Sequence, residues 1–465
     1  MKLLRKYLVL CLSCGSAMAY CEQTVSGQPL LSVVSPIVFQ VSMQARPVRP
    51  ARPVRPATRP TRPAVRSSNT TRQPNADLIV TDRAVQQRMQ EIERQSSRLV
   101  ERARRALEAD KKSDKLVAKL QRNYGLTFVE VSGRFRLVRY REIIGINLTD
   151  QDRIAASAAG FKRYWLNNLS ATALQIDLLQ VPENMPMQDA LARLKAAGAK
   201  GIFAYNTVYV PAGSAQEVPN ERLRGGSNSS FKIGMVDTGL HSKHKMLSSA
   251  KINQRNFGRG DVLTPRNHGT AVASIIARNG APTLYVADVF SGPILFSDVE
   301  SIVRAMDWLA AQRVSVINMS LAGPPNLLLA EAVKRLTGNG HIIVAAVGNN
   351  GKEGEPLYPA SYANVVGVTA VDAKRRIFKS AYQGASVDYA ALGVKTRAAA
   401  IRGNKKYSGT SFASPVIAAF IAGHYQRTGT PGAAAEAIQH LNEQVVDLGT
   451  VGHDPVFGIG YLPSP

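Results

Sequence analysis

The chain has 465 residues, of which 45% are hydrophobic, so it is long enough for two or three folded units with substantial cores. Its formal net charge of +25 suggests a nucleic-acid-binding protein. The folded part, however, lacks the interleaved basic and aromatic residues of single-strand binders, and we expect no specific nucleic acid partner. The three cysteines, Cys11, Cys14 and Cys21, all lie near the start, which excludes an internal disulfide in a processed chain.

Residues 1–19 have the pattern of an export signal peptide. Lys2, Arg5 and Lys6 precede a short apolar run, and Ala17-Met18-Ala19 is a typical cleavage motif. The apolar run is about 14 residues long, shorter than the roughly 20 that a spanning helix needs. We therefore predict a secreted, periplasmic or envelope-associated protein without a transmembrane span in the mature chain. An uncleaved anchor is the alternative.

Residues 20–76 are predicted to be disordered because they repeat Arg-Pro, as in RPVRPARPVRPATRPTRP, and proline cannot continue helices or central strands. The basic segment 45–66 could bind an anionic polymer of the cell envelope, or it could be only a stiff, solvated spacer. Residues 77–125 are predicted to be a helical segment, because apolar residues recur there at spacings of three and four.

Residues 126–212 alternate short strands and helices. FVEVSGRFRLV predicts a hairpin that turns at Ser132-Gly133. The following order of strand, helix, two strands, helix and strand is that of a ferredoxin-like α+β unit, with Thr149 capping the first helix. This unit has no cluster of titratable residues, so we expect a structural or regulatory role. Residues 213–229 have the composition of a linker.

From residue 230 to 465, continuous apolar strands alternate with helices, which predicts a parallel sheet covered on both faces. Functional residues of such sheets gather where strands end. Asp237 and Asn349 each end an apolar strand. His268 begins a helix, where the helix dipole disfavours a protonated imidazole. Ser411 lies at a turn before a helix, a position that presents its hydroxyl to a substrate.

Each of these four residues also has an ordinary structural explanation. Asp237 could contact a ribose or a metal, His268 could be a capping or core residue, and Asn349 could belong to an Asn-Gly turn. Ser411 could simply cap the helix. A neighbouring serine, Ser414, is expected to cap the helix ahead of a proline.

The order Asp, His, Ser on a parallel α/β sheet is that of subtilisin. Over about residues 230–465 the sequence resembles the subtilisin-like serine proteases (subtilases, peptidase S8 family). The matching stretches are VDTGL, NHGTAVASIIA, INMSLAG, AAVGN and GTSFASPVIAA, followed by YPASYANVVGVTAV and DPVFGIGYL.

The resemblance implies a subtilisin-like three-layer α/β fold and an endopeptidase that cuts protein or peptide substrates through an acyl-enzyme. It implies that Ser411 is the nucleophile, that His268 is the general base oriented by Asp237, and that Asn349 binds the oxyanion. The resemblance further implies a substrate cleft flanked by Ser320, Leu321, Ala322, Gly323, Ala346 and Gly348.

The α+β unit resembles, in architecture alone, the inhibitor-type prodomains of subtilases. This implies a zymogen that binds its own prodomain in cis and is processed within 211–230. The loop after His268 is too short for the tight calcium site of many family members, so we predict no cofactor, although a weak calcium site elsewhere stays open. The alternative function is an envelope-binding or scaffold protein on a subtilase fold, with dispensable catalysis and an active basic tail.

Overall fold

The computed structural model describes residues 114–217, 230–260, 262–292, 295–425 and 432–463, together with Glu91, Arg98, Arg102 and Arg105. All of them belong to one compact unit, Arg72–Pro465. The predicted signal peptide, the Arg-Pro segment and most of the predicted helical segment 77–125 lie outside the described residues. Within the described ranges, no helix has the length and apolar character needed to cross a bilayer.

The first part of the described chain is a mixed α+β unit. Its elements are α1 (Asp114–Tyr124), β1 (Leu126–Val131), β2 (Arg134–Ile146), α2 (Asp150–Ala158), β3 (Lys162–Leu169), β4 (Leu174–Gln180), α3 (Ala190–Ala196) and β5 (Ile202–Pro211). The strands form an antiparallel sheet in the order β5-β2-β4-β3, and β1 pairs with β2. We call this sheet the N-terminal sheet. Its strand order is that of the ferredoxin-like, or split-βαβ, unit that the sequence predicted.

Two local features explain how this unit forms. Strand β2 is one strand where the sequence suggested two, because an irregularity between Val138 and Ile143, with Arg141 at φ 61°, lets it bend without ending. At α2, Thr149 and Asp152 form a reciprocal capping box. The Thr149 hydroxyl and three backbone N–H groups lower the pKa of Asp152 to about 2.

A four-residue strand, β6 (Ser214–Glu217), lies within the segment 213–229 that was predicted to be a linker. It pairs with β17 (Asn404–Ser408), which belongs to the second part of the chain. The predicted linker therefore begins with a strand that is fixed to a distant segment.

The second part of the chain is a three-layer α/β structure. Its remaining strands are β7 (Ser230–Asp237), β8 (Lys251–Asn256), β9 (Ala281–Asp288), β10 (Ser297–Asp298), β11 (Val316–Met319), β12 (Leu321–Ala322), β13 (Ile342–Ala346), β14 (Val365–Val371), β15 (Tyr389–Leu392), β16 (Thr396–Ala399) and β18 (Gly460–Tyr461). Its helices are α4 (Asn267–Arg278), α5 (Val299–Ala311), α6 (Leu327–Gly338), α7 (Ser414–His424) and α8 (Ala433–Gln444).

The main sheet has eight parallel strands in the order β18-β15-β14-β13-β11-β7-β9-β8. Successive residues of one strand point to opposite faces. Ile317 of β11 packs with helices α5 and α6, whereas Val316 packs with α4 and α7. Because both faces are covered, these strands have the continuous apolar sequences that predicted a buried parallel sheet.

The N-terminal sheet packs on helices α5 and α6, and the two parts share one hydrophobic core. Ile144 and Ile176 of the N-terminal sheet belong to the same cluster of buried side chains as Met306 of α5 and Leu329 of α6. Strand β5 continues this contact at its edge, where it pairs with β10 and β12.

Charged residues also connect the N-terminal sheet with the second part of the chain. Asp298, which caps α5, is fully buried and accepts hydrogen bonds from Arg139 Nε of β2 and from Arg259 Nε, both at 2.9 Å. Arg259 also contacts Glu142 Oε2 at 2.9 Å. We call Arg139, Glu142, Arg259 and Asp298 the junction network.

Candidate active site

Asp237 and His268 form a buried pair at the end of the main sheet. Asp237 is the last residue of β7, and its Oδ1 lies 2.7 Å from His268 Nδ1 and accepts the Thr238 N–H at 2.6 Å. Helix α4 holds His268 in its first turn. Because the Nδ1–H donates to the carboxylate, the lone pair of a neutral ring lies on Nε2. Among the described atoms, this buried Nε2 has no hydrogen-bond partner.

Ser411 lies beside this pair, in the turn that joins β17 to α7. The ring of the next residue, Phe412, packs 5.3 Å from the His268 ring. The Ser411 side chain is fully buried, and its hydroxyl donates to the Ser320 carbonyl oxygen at 3.0 Å. A hydroxyl that rotates about one bond can change partner, and catalytic hydrogen bonds often form only with substrate present.

Ser414 does not cap helix α7, contrary to the prediction. It is the first residue of the helix, the capping position belongs to Ala413, and no side chain caps this end. The Ser414 hydroxyl instead lies 3.0 Å from Ser320 Oγ, which also donates to the Ser411 carbonyl oxygen. The Ser414 hydroxyl bonds to the buried Ser320 hydroxyl, and it is therefore not available to cap the helix.

Asn349 faces the Ser411 turn from the neighbouring strand end. Its Oδ1 accepts hydrogen bonds from the Thr410 N–H at 3.1 Å and from the Thr410 hydroxyl at 3.2 Å. These bonds fix the amide so that its Nδ2 points to the turn, where a Cβ on Gly409 would lie 3.2 Å from it. Thr410 is therefore a residue that orients Asn349, and the sequence reasoning did not single it out.

The end of the N-terminal sheet runs through the groove beside Ser411. Val210 and Pro211 pair antiparallel with Ala322 and Leu321, and the Ala212 N–H donates to the Ser320 carbonyl oxygen at 3.3 Å. We call residues 208–217 the cleft segment.

The carbonyl oxygen of Ala212 accepts the Ser411 backbone N–H at 3.2 Å. After Gly213, β6 pairs with β17, with Ser214 opposite Ser408. The peptide bond between Ala212 and Gly213 thus lies opposite Ser411, and strand pairing holds the chain on both sides of it.

The six residues expected to flank the cleft contribute in different ways. Ser320, Leu321 and Ala322 pair with the cleft segment through their backbone, and Ala346 packs against the Ala212 methyl group.

The two glycines of that set, Gly323 and Gly348, form their hydrogen bonds with residues outside the cleft segment. Gly323 exchanges backbone hydrogen bonds with Tyr358, and the Gly348 N–H donates to the Thr410 hydroxyl. Their lack of side chains still matters, because a Cβ on Gly323 would overlap the ring of Tyr209 in β5.

A second buried carboxylate lies next to Asp237. Asp288 ends β9 directly opposite Asp237 in the strand register, and it accepts the backbone N–H groups of Thr264 and Phe290. Burial raises the pKa of Asp288 to about 6, against the opposing effect of these hydrogen bonds. Asp288 holds the turns around the pair in place. Its position at a strand end, in YVAD, was the signal that could have identified it.

The part of the chain that the structure describes contains no group of three His, Cys, Asp or Glu side chains placed to hold a metal ion. Helix α4 ends at Arg278 and β9 begins at Ala281, so the connection after His268 is a tight turn. The calcium prediction made from the sequence stays a prediction.

Comparison with known proteins agrees with this arrangement. The model of the Subtilase family (Peptidase_S8) matches residues 228–460. The chain is 32% identical over 249 residues to the minor extracellular protease Epr of Bacillus subtilis (strain 168), which is 50% of this chain and 37% of that protein. It is 31% identical over 230 residues to the major intracellular serine protease of the same organism, covering 44% of this chain and 72% of the relative.

Other similar proteins include subtilisin Savinase of Lederbergia lenta, which is 32% identical over 216 residues, covering 44% of this chain and 80% of that protein. Among solved structures, fervidolysin of Fervidobacterium pennivorans, described as a keratinolytic enzyme related to subtilisin, has a TM-score of 0.58 at 18% identity. That match covers 69% of this chain and 59% of fervidolysin, and at this identity it shows a shared fold alone. The match to Epr spans less than half of that relative's length.

Proposed function

Because the chain belongs to the subtilase family, we propose that it is an exported serine endopeptidase that uses Asp237, His268 and Ser411 as its catalytic triad. The observation that carries the proposal is the 2.7 Å contact between Asp237 Oδ1 and His268 Nδ1. This contact fixes the tautomer of the ring, and it leaves an unpartnered Nε2 beside the turn that holds Ser411. A general base needs both properties.

In the proposed reaction, Ser411 Oγ attacks the carbonyl carbon of a substrate peptide and gives its proton to His268 Nε2. His268 then gives that proton to the leaving amine as the C–N bond breaks, which produces an acyl-enzyme. Water, deprotonated by the same nitrogen, hydrolyses the ester and restores Ser411. Asp237 stabilises the imidazolium ion during both steps and stays ionised.

The oxyanion of each tetrahedral intermediate would be bound by the Asn349 Nδ2 amide and the Ser411 backbone N–H. The second donor already contacts a carbonyl oxygen, that of Ala212, at 3.2 Å. The hydrogen bonds from Thr410 to Asn349 Oδ1 support this role, because a preorganised donor costs no reorganisation when the charge develops.

We further propose that the N-terminal sheet is a prodomain that inhibits the enzyme in cis until the chain is processed. The cleft segment occupies the groove where a substrate would pair with β12, so no other peptide can bind there while it remains. The shared core of the N-terminal sheet with α5 and α6 supports a stable association.

Labelling with a fluorophosphonate probe tests the catalytic assignment. Processed wild-type protein should be labelled, and Ser411→Ala should not be. Ser249→Ala is the control, since the Ser249 hydroxyl donates to the Gly280 carbonyl oxygen after the end of α4 and has no role in the proposed reaction. Equal labelling of the Ser411→Ala and wild-type proteins would contradict the proposal. An unlabelled wild-type protein that still binds envelope fractions would favour the scaffold function.

Export and the basic tail are proposed on the sequence alone. One relative is named extracellular and another intracellular, so the proposal depends on residues 1–19. Cell fractionation should find the protein outside the cytoplasm, with Ala19 as the last residue removed. Deletion of residues 45–66 should abolish salt-dependent retention on envelope fractions if this segment binds an anionic polymer, and should change nothing if it is a spacer.

A further inference from the structure

The cleft segment shows which side chains the site accepts on either side of the bond that faces Ser411. The Ala212 carbonyl oxygen lies on the Ser411 N–H, and the chain is held by β12 before this point and by β17 after it. Ala212 is therefore the residue before the bond in register with the nucleophile, and Gly213 is the residue after it.

The pocket that receives the Ala212 side chain is closed by Leu357. Ala212 is 7% exposed and forms a small apolar cluster with Ala322 and Ala346, against which Leu357 packs. The Leu357 side chain lies against Gly348, which follows strand β13, because its Cδ1 is 2.6 Å from the position that a Cβ on Gly348 would occupy. A methyl group fits the remaining space, whereas a leucine or phenylalanine side chain would have to displace Leu357.

The position after the bond is restricted by Phe412. A Cβ on Gly213 would overlap the Phe412 ring, with Cζ only 3.0 Å away. That ring is 1% exposed and is packed 4.9 Å from the ring of Tyr407 and 5.3 Å from that of His268, so it has no free space into which to move. This position therefore favours glycine.

We propose that Leu357 and Phe412 make the enzyme selective for a small residue followed by glycine, and that Ala212–Gly213 is the bond at which it cuts its own chain. This inference rests on the proposed function. In self-cleavage, Ser411 Oγ bonds to the Ala212 carbonyl carbon, the bond to the Gly213 nitrogen breaks, and His268 protonates that amine. Water then releases the Ala212 carboxylate, and the processed chain begins at Gly213.

The first measurement is the new N-terminus that appears when the full-length wild-type chain processes itself. It should be Gly213, and the Ala212→Phe precursor should be cut at this bond roughly 10- to 200-fold more slowly, the range for side-chain discrimination in an apolar pocket. Adding Leu357→Ala to Ala212→Phe should raise the cleavage rate again, because removal of the Leu357 side chain leaves room for the phenylalanine ring. Leu327→Ala should not restore it, because this leucine is 58% exposed on α6.

Peptides test the same selectivity on an unchanged enzyme. The processed wild-type protein should cut VYVPAGSAQ, which copies residues 208–216. It should cut versions with phenylalanine for Ala212, or with leucine for Gly213, roughly 10- to 200-fold less efficiently in kcat/KM. Leu357→Ala should relieve the phenylalanine penalty and leave the leucine penalty unchanged. Cleavage of the unaltered peptide by this variant also verifies that it folds.

The outcomes separate this inference from the proposed function. A wild-type chain that cuts itself only at another bond would overturn the inference alone, as would equal rates for all three peptides or a phenylalanine penalty unchanged by Leu357→Ala. If the wild-type and Ser411→Ala chains are equally intact and cut no peptide, both the proposed function and the inference are overturned.

Discussion

Asp298→Asn should weaken the junction between the N-terminal sheet and the main sheet. The Asp298 carboxylate is fully buried, with Arg139 Nε and Arg259 Nε at 2.9 Å and the Ser301 N–H at 3.0 Å. Burial alone would raise the pKa of Asp298, but the two guanidinium groups outweigh it and hold this pKa well below its usual range. The side chain is therefore ionised in the folded protein at every pH used for activity.

The expected cost follows from what asparagine keeps and what it loses. Asparagine has nearly the same shape and is equally good as a helix cap, so its one acceptor oxygen keeps the Ser301 contact that Oδ1 makes. The amide nitrogen then replaces Oδ2, which accepts from both arginines. Because an N–H donor cannot bond to an NH2 group, both hydrogen bonds are lost, at about 1.5 kcal/mol each. The Arg139 side chain, 14% exposed, also keeps a charge without its anion. The Arg259 side chain is 37% exposed and is partly screened by water. Together these effects predict a loss of about 2–3 kcal/mol in the free energy of unfolding.

Urea unfolding of the full-length Ser411→Ala precursor measures this loss without self-digestion. The chain has two tryptophans, Trp165 in the N-terminal sheet and Trp308 on α5, so fluorescence reports on both sides of the junction. Asp372→Asn is the matched control, because Asp372 pairs with an arginine that is 72% exposed, and it should cause no measurable change. If Asp298→Asn shifts the urea midpoint no more than this control, the junction network does not stabilise the precursor and our reasoning is wrong.

Three further predictions follow from single residues. Asn349→Ala should lower kcat about 10²–10³-fold with little change in KM, which is the magnitude known for the corresponding asparagine of subtilisin. Steady-state kinetics with casein would contradict the oxyanion role if the variant retained its kcat. Burial raises the pKa of Asp288 to about 6, so this residue contributes stability that is complete below about pH 3 and is lost as the pH rises through 6. In urea melts, wild type should therefore lose about 2 kcal/mol relative to Asp288→Asn between pH 4 and 7. Parallel curves would refute this. Gly367→Ala should destabilise the chain by about 3 kcal/mol, since its Cβ would overlap the Ser386 carbonyl oxygen, and an unchanged melting temperature would contradict the packing.

The sequence alone determined the alternation of apolar strands and helices that forms the main sheet, and it singled out the residues proposed as the triad. Strands buried on both faces must be apolar throughout, so their ends stand out wherever a polar residue such as Asp237 or Asn349 follows. The positions of His268 and Ser411 were likewise visible, since each begins or precedes a helix whose remaining residues are small and apolar. These signals depend on residues that are neighbours in the chain, so they can be recognised from the sequence alone.

Only the tertiary structure decided what surrounds those residues. The partner of Ser414, the restriction of the pocket by Leu357, and the position of Ala212 on Ser411 all involve residues at least 90 positions apart or on different elements. The irregularity at Arg141 that merges two predicted strands into β2 has the same origin, because strand β5 pairs with β2 both before the irregularity, at Val138, and after it, from Ile143. Such contacts depend on how side chains fill the space between elements, and the volume left at one position is set by neighbours that a linear pattern does not bring together.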